Sequence, residues 1–272
     1  MPKGLANIGN TCYMNSALQC LIHVPDLSNH LLKEGYDGPC ELTREYAKLV
    51  KELWRDKTSA YAIPRDFHAS FTRKYPSFAN LQPHDVQEVV LKLVDTFEAS
   101  LGKDFVQSIF NGQEIQEVTF PKGVSKKTND LTAIVLMPKK QNQTLDELMK
   151  QREGLDAFAG YVDDEGNTWN AAVTRTYITK LPSILVVSFS QYDAKYTVRV
   201  PQCYEGYALF GLVVHYGSTT GGHYAAYVKH RGVWRYIDDD TIVEREPNEA
   251  GEYYVAFYKK IKTAQGPNGF LK

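Results

Sequence analysis

The sequence of 272 residues lacks several features that define whole classes of protein. Its four cysteines include no C-x-x-C pair, which argues against a zinc ribbon. Its 31 basic residues balance 32 acidic ones, so no bulk charge favours nucleic acid or an anionic membrane. No apolar run is long enough to span a bilayer, and no signal-peptide core follows Met1. We therefore expect free thiols, a cytoplasmic or nuclear location, and neither membrane nor nucleic-acid partners.

The pattern of apolar residues differs between the two halves of the chain. Helical spacing predicts helices over 42–54 and 86–101, and a short helix over 145–152. From Val118 onward, short segments rich in Val, Ile, Tyr and Phe predict strands over 131–136, 172–178, 184–189, 208–215, 224–228 and 253–258. A helical half followed by a sheet half predicts an α+β protein with a cleft between its two parts.

A cysteine follows a glycine-containing turn near the N-terminus. An amphipathic run begins at Cys12, so we expect its sulfur at a helix N-terminus, where unpaired N–H groups and the helix dipole stabilise a thiolate. Asn7 lies just upstream, where its amide can stabilise a tetrahedral oxyanion. Asn10 is expected to form the turn, and Cys20, two helical turns further on, to lie in the core.

A thiol nucleophile needs a general base, and one of the seven histidines has suitable surroundings. His223 follows a glycine-rich loop and stands at the start of a predicted strand. The strand over 233–237 then runs into three consecutive aspartates, which a hairpin returns to the neighbourhood of His223. Asp238 directly follows the strand and is expected to orient the imidazole. Asp239 is the second choice, or an additional polarising group near the oxyanion.

The segment around Cys12 and the segment around His223 together resemble two motifs, the cysteine box and the histidine box, of the ubiquitin-specific protease family of deubiquitinases. Residues 4–16 (GLANIGNTCYMNS) resemble its cysteine box, and residues 221–240, from GGHYAAYV to DDD, resemble its histidine box. Residues 83–88, 181–185 and 253–258 resemble a helix start beside the substrate cleft and two strands of the same family. The resemblance therefore covers the chain from Gly4 to Tyr258.

This resemblance implies a papain-like cysteine protease fold and a deubiquitinase that needs no cofactor and acts as a monomer. The implied single catalytic domain has a helical thumb over about 1–110, reduced fingers and part of the palm over 111–180, a β-rich palm over 181–262, and a tail over 263–272. The implied reaction is hydrolysis after the C-terminal glycine of ubiquitin. The implied catalytic residues are Cys12 as nucleophile, His223 as base, Asp238 as orienting carboxylate, Asn7 as oxyanion donor, and Asp239.

The resemblance also implies which residues bind the ubiquitin tail. Asp85 and Glu88 match positions that meet basic side chains of that tail, and loops near 191–195 and 217–222 match loops that cover it. The expected substrate-binding residues are Asp85, Gln87, Glu88, Gly221, Gly222 and Tyr224.

The sequence departs from the family pattern in its fingers. Many members hold the fingers together with zinc on two C-x-x-C pairs, which this sequence lacks, so we expect no metal. Two other functions stay open: removal of a different ubiquitin-like modifier, and an inactive ubiquitin-binding module. A general papain-like peptidase would explain the cysteine and histidine but not the length of the two boxes.

Overall fold

The computed structural model describes residues 3–80, 82, 84–191, 194–218 and 221–261. Within these residues the helices fall mainly in the first half of the chain. The α-helices are α1 (Cys12–Ile22), α2 (Pro25–Glu34), α3 (Glu41–Arg55), α4 (Arg65–Lys74), α5 (Val86–Leu101), α6 (Lys103–Phe110) and α7 (Leu145–Arg152), with a 3-10 turn at Pro76–Phe78. The predictions of helices over 42–54, 86–101 and 145–152 are confirmed by α3, α5 and α7.

Local sequence explains where these helices begin. The side chain of Asp85 accepts a hydrogen bond from the Gln87 backbone N–H and so caps α5. Thr144 and Glu147 form a reciprocal capping box at the start of α7. Every residue of α1 is buried, so this helix lies inside the protein rather than on its surface.

The strands follow mostly from residue 112 onward and form five sheets within the described residues. They are β1 (Gly4–Leu5), β2 (Tyr61–Ala62), β3 (Gly112–Phe120), β4 (Gly123–Leu131), β5 (Ile134–Leu136), β6 (Gln143–Thr144), β7 (Asp156–Phe158), β8 (Tyr161–Val162), β9 (Thr168–Trp169), β10 (Ala172–Lys180), β11 (Ile184–Phe189), β12 (Val198–Arg199), β13 (Cys203–Tyr204), β14 (Tyr207–Ser218), β15 (Gly221–His230), β16 (Val233–Asp238), β17 (Thr241–Glu244), β18 (Ala250–Gly251) and β19 (Tyr253–Lys260).

The largest sheet, which we call the palm sheet, has the order β17-β16-β15-β14-β19-β11-β5, with β13 paired to β14. Alternate residues of its central strands enter two separate cores. In β19, Val255 and Phe257 pack against the helices, whereas Ala256 and Tyr258 pack on the opposite face. Burial on both faces explains why these strands read as continuous apolar runs in the sequence.

A second sheet, which we call the fingers sheet, has the order β4-β3-β10-β7 and lies within residues 112–180, the region that we expect to form reduced fingers. It begins at Gly112, earlier than the shift predicted at Val118, and that prediction was therefore wrong. Strands β3 and β4 carry many charged and polar residues, and most of their side chains are exposed or half-buried. Strands that bury so few side chains leave no apolar pattern in the sequence from which they could be predicted.

The division into thumb, fingers, palm and tail stays a prediction. Helix α6 ends at Phe110 and β11 begins at Ile184, so the predicted boundaries near 110 and 180 fall between elements. The predicted tail over 263–272 lies outside the described residues. No helix in the described part of the chain is long and apolar enough to cross a membrane.

Candidate active site

Cys12 is the first residue of α1, as the sequence predicts. The chain reaches it through a turn in which Gly9 and Asn10 have φ values of 123° and 51°. Glycine and asparagine are the residues that most readily adopt this left-handed conformation. Thr11 closes the turn by accepting the backbone N–H of Ile8 on its hydroxyl at 3.1 Å. The Cys12 side chain is 8% exposed, so its sulfur lies in a restricted space.

The palm sheet brings His223 and Asp238 together. His223 lies near the start of β15, and Asp238 ends the adjacent strand β16. The imidazole Nε2 is 2.5 Å from Asp238 Oδ1, so Nε2 carries the proton and Nδ1 is left for a second partner. The Tyr236 hydroxyl donates to the other oxygen of Asp238 at 3.4 Å. This arrangement fixes both the orientation and the tautomer of the imidazole.

Cys12 lies beside the residue that follows His223. Helix α1 packs against β15, and the backbone N–H of Tyr224 lies near enough to the Cys12 sulfur to lower the pKa of the thiol. His223 is therefore adjacent in sequence to a group that already contacts the nucleophile. Cysteine, histidine and aspartate thus come together in one place although 226 residues separate the first from the last.

The electrostatics of Cys12 differ from the sequence-based expectation. Burial raises the pKa of the Cys12 thiol, and the Asp239 carboxylate raises it further. Backbone N–H groups of Tyr224, Tyr13 and Cys12 oppose this change but do not outweigh it. The helix N-terminus therefore does not lower the pKa of Cys12 as the sequence predicts, because burial of the sulfur has the larger effect. A neutral thiol requires proton removal by a base during attack.

Asp239 joins the N-terminal box to the histidine box. Its Oδ2 accepts from Asn7 Nδ2 at 2.9 Å and its Oδ1 from Asn15 Nδ2 at 2.8 Å. The backbone carbonyl of Asp239 also accepts from Leu5 N–H at 2.8 Å. Asp238, rather than Asp239, thus contacts the imidazole, while Asp239 orients the amide of Asn7. The second Nδ2 proton of Asn7 stays available to an oxyanion.

A cleft of about 210 Å³ adjoins this group of residues. It contains five of the six predicted substrate-binding residues, and Glu88 is exposed outside its lining. Burial raises the pKa of Asp85, although the backbone N–H groups of Gln87 and Glu88 oppose the rise. Gln87 accepts the Ser188 hydroxyl at 2.6 Å and thereby links α5 to β11 across the cleft. The lining residues are His84, Asp85, Gln87, Ser188, Phe189, Ser190, Gln191, His215, Gly221, Gly222, Tyr224 and Tyr254.

The two glycines before His223 have different steric surroundings. A side chain at Gly222 would collide with the Tyr216 carbonyl and the His215 ring, so only glycine fits there. A Cβ at Gly221 would meet nothing within 4 Å. Parts of the two predicted covering loops, 192–193 and 219–220, lie outside the described residues, as does Pro83.

One group in the described chain has side chains close enough to share a metal ion, and it consists of His223, Asp238 and Asp239 within 4.8 Å of one another. Hydrogen bonds already explain its geometry: Asp238 binds the imidazole, and Asp239 binds two amides. We interpret it as acid–base machinery.

Sequence reasoning missed several residues that support the site. Asn15 lies three residues after Cys12, a spacing that places both on one face of α1. Tyr236 lies two residues before Asp238, so both side chains project from the same face of β16. Both supporting residues could therefore have been predicted from their spacing to the catalytic candidates. His215 and Lys195, which contact each other at 3.0 Å, had no such signal because twenty residues separate them.

A protein-family model described as ubiquitin carboxyl-terminal hydrolase matches residues 3–258. This match covers nearly the whole chain, including every predicted catalytic residue. The chain belongs to the ubiquitin carboxyl-terminal hydrolase family. The resemblance that its two boxes carry is thereby confirmed at the level of the family.

Curated relatives share part of this hydrolase domain. Ubiquitin carboxyl-terminal hydrolase 15 of Homo sapiens is 38% identical over 110 residues, which cover 37% of this chain. Ubiquitin carboxyl-terminal hydrolase 10 of Arabidopsis thaliana is 39% identical over 109 residues. The matched region spans only 11% of the human relative and 12% of the plant relative.

Solved structures confirm the fold class. The SAGA Ubp8/Sgf11/Sus1/Sgf73 DUB module bound to ubiquitin aldehyde superimposes with a TM-score of 0.78 at 20% identity, and the match covers 94% of this chain and 69% of that one. A second structure of the same module, bound to monoubiquitin, gives a TM-score of 0.79 at 21% identity and covers 94% of this chain and 68% of that one. The predicted α+β, papain-like hydrolase fold is therefore correct.

Proposed function

We propose that this protein is a cysteine deubiquitinase that hydrolyses the bond after the C-terminal glycine of ubiquitin. The observation that carries the proposal is the Cys12, His223 and Asp238 group beside the cleft, in a chain that belongs to the ubiquitin carboxyl-terminal hydrolase family. Ubiquitin is favoured as the substrate because the two solved neighbours hold ubiquitin aldehyde and monoubiquitin.

The first step forms a thioester. His223 Nδ1 removes the proton of the neutral Cys12 thiol as the sulfur attacks the glycine carbonyl, and Asp238 stabilises the resulting imidazolium through Nε2. Asn7 Nδ2 and nearby backbone N–H groups stabilise the tetrahedral oxyanion. The imidazolium then protonates the departing lysine amine, and the carbon–nitrogen bond breaks.

The second step reverses these roles. His223 removes a proton from water, the resulting hydroxide attacks the thioester carbonyl, and Asn7 again stabilises the oxyanion. The carbon–sulfur bond breaks, and His223 returns its proton to Cys12. The cycle consumes one water, and the side chains of this chain supply every proton transfer.

The cleft supports selection of a glycine-ended tail. Gly221 and Gly222 line the cleft and carry no side chains, so an extended main chain can approach this part of its wall closely. Asp85 lines the same cleft, and a cationic side chain of the substrate would favour its ionised form. A monomeric state and a cytoplasmic or nuclear location stay our expectations, the latter because the reaction needs a reduced Cys12.

The test uses ubiquitin that carries a thiol-reactive group at its C-terminus. We expect one covalent adduct, located at Cys12 by peptide mass spectrometry, and none with Cys12→Ala. Cys203→Ala is the matched control, because Cys203 is an exposed thiol outside the cleft and its loss should leave the adduct intact. Other ubiquitin-like modifiers with the same reactive group are tested in parallel. Reaction of one of these at Cys12, with no reaction of ubiquitin, would contradict the substrate assignment.

A further inference from the structure

Three polar side chains beside the cleft form a network that the proposed reaction does not use. Lys195 Nζ lies 3.0 Å from His215 Nδ1 and 3.1 Å from Glu252 Oε2. Lys195 lies between β11 and β12, His215 in β14, and Glu252 directly before β19. The His215 backbone N–H also donates to the Glu252 carbonyl at 3.2 Å. The network therefore joins a loop at the cleft to two central strands of the palm sheet.

Lys195 determines which nitrogen of His215 carries the proton. An ammonium group has only donors, so His215 Nδ1 must accept its hydrogen bond. The proton of the neutral ring then resides on Nε2. This side of the ring, Nε2 and Cε1, lies directly against Gly222, at the point where a side chain would collide. His215 is only 5% exposed, so the ring has little freedom to move away.

Both neighbours of the catalytic base rest on this ring. Gly222 packs against its edge, and the Tyr224 ring lies 4.5 Å from it between centroids. Tyr224 also supplies the backbone N–H that reaches the Cys12 sulfur. The position of the His215 ring therefore sets the position of both residues that flank His223.

The charge of Lys195 contributes to the same arrangement. Burial, followed by the Lys195 ammonium and His223, lowers the pKa of His215 to about 4, while Glu252 opposes the change. The other groups that contact the ring are the uncharged side chains of Tyr224 and Tyr254. His215 is thus neutral at pH 7, and protonation would place two cations against each other.

We propose that Lys195 is a positioning residue that holds His215 in its Nε2–H form and thereby fixes Gly222 and Tyr224, and with them the His223 ring, relative to Cys12. Lys195 acts through His215 and need not touch the substrate. The activity readout of this proposal rests on the proposed function, whereas its spectroscopic readout does not.

The test compares three substitutions that separate donor from charge. Lys195→Met removes both, Lys195→Gln keeps a donor without the charge, and Lys195→Arg keeps both. Lys51→Met is the matched control, because Lys51 is an exposed lysine on α3 outside the cleft. Nitrogen NMR of the His215 ring reports its tautomer and pKa. The rate of iodoacetamide alkylation reports the reactivity of the Cys12 thiol, and hydrolysis of a ubiquitin C-terminal amide gives kcat and KM.

We expect Lys195→Met to raise the pKa of His215 from about 4 towards its ordinary value and to populate both tautomers. We expect its kcat at pH 7 to fall about tenfold with KM within about twofold, since small displacements of a base cost rate rather than binding. The alkylation rate of Cys12 should fall at acid pH as His215 protonates, at a higher pH than in the parent but below the ordinary histidine pKa of about 6.5, because the ring stays buried. Lys195→Gln should keep the tautomer but show the raised pKa, and Lys195→Arg should restore both.

Two results would overturn the proposal. One is a Lys195→Met protein whose His215 ring shifts and Cys12 alkylation profile equal those of the parent. The other is an effect on KM alone, which would assign Lys195 to substrate contact. If the parent fails to cleave ubiquitin while the tautomer of Lys195→Met changes with the alkylation profile, the proposed function fails and the positioning role stands.

Discussion

The palm sheet and the fingers sheet are both built from β-strands, but different interactions hold them together. In β11 all six residues are buried, whereas in β3 and β4 only Gly112 and Leu131 are. The fingers rely instead on pairs across their surface. Glu117 binds Lys126 and Arg175 from the flanking strands, and Glu114 pairs with Arg152 of α7 at the base of the fingers.

The tip of the fingers shows how this region holds its shape without the zinc cysteines found in many family members. Phe120 lies 5.0 Å from Tyr161 and 5.7 Å from Trp169 between ring centroids. Asp163 closes the tip by accepting the Trp169 indole N–H at 2.9 Å and the Asn167 backbone N–H at 2.8 Å. The proposed catalytic site therefore rests on a buried scaffold, and the fingers sheet, which we expect to grip the substrate, rests on a thin one. Damage to each should give a different kinetic signature.

The largest expected effect is on the chemistry. We expect Asp238→Asn to lower kcat by about 10²- to 10⁴-fold, because the imidazole loses the partner that fixes its tautomer and stabilises its charge. The measurement is turnover of a ubiquitin C-terminal amide. Asp240→Asn is the control, since Asp240 is exposed and its carboxylate contacts Thr241 rather than His223. Equal losses in the two variants would contradict the assignment of Asp238.

The second largest expected effect is on the free energy of unfolding, which should fall more for a substitution in the buried core than for one in the fingers sheet. Leu18 is fully buried in α1, so Leu18→Ala should lower the free energy of unfolding by about 2–5 kcal/mol. Val118 is half-buried in β3, and Val118→Ala should cost less than about 1 kcal/mol. Urea unfolding of both variants provides the comparison. Similar losses would show that the fingers belong to the same cooperative unit as the core.

Acid should destabilise the core through a buried histidine. Burial lowers the pKa of His23 to about 4 from 6.5, and this side chain is 7% exposed. The folded state favours the neutral ring, so this contribution is complete above pH 6.5 and is lost as the pH falls towards 4. The loss is about 3 kcal/mol at about 1.4 kcal/mol per pKa unit.

Urea unfolding of the parent and of His23→Gln between pH 7 and pH 4 measures this slope, which should be shallower in the variant. A slope that His23→Gln leaves unchanged would assign the acid sensitivity to other groups. Residues 112–180 contain no histidine, so the fingers contribute nothing of this kind.

The smallest expected effect is on substrate grip. Asp163→Ala removes the hydrogen bonds that close the fingertip, and we expect KM for a ubiquitin conjugate to rise about three- to tenfold with kcat unchanged. The neighbouring exposed residue supplies the control Asp164→Ala. Steady-state kinetics separates the two constants, and a fall in kcat would show that the fingertip affects the catalytic centre.

The two regions also differ in how far the sequence predicts them. The palm strands and helices α3 and α5 bury regular apolar faces, so their periodicity is visible in the sequence. Strands β3 and β4 bury few side chains and leave no such pattern. Cys12, His223 and Asp238 could be predicted because each lies within a distinctive local motif. The raised pKa of Cys12 could not, because it depends on how deeply residues far along the chain cover the sulfur.

Strand β19 lies between β14 and β11 in the middle of the palm sheet, although it follows both of them in the chain. During translation, the strand that completes the palm sheet is made some 240 residues after Cys12. Until then β14 and β11 each have one unpaired edge, and the palm sheet lacks the strand that joins them. A chain that ends before β19 should therefore lack the completed palm sheet on which the proposed site is built.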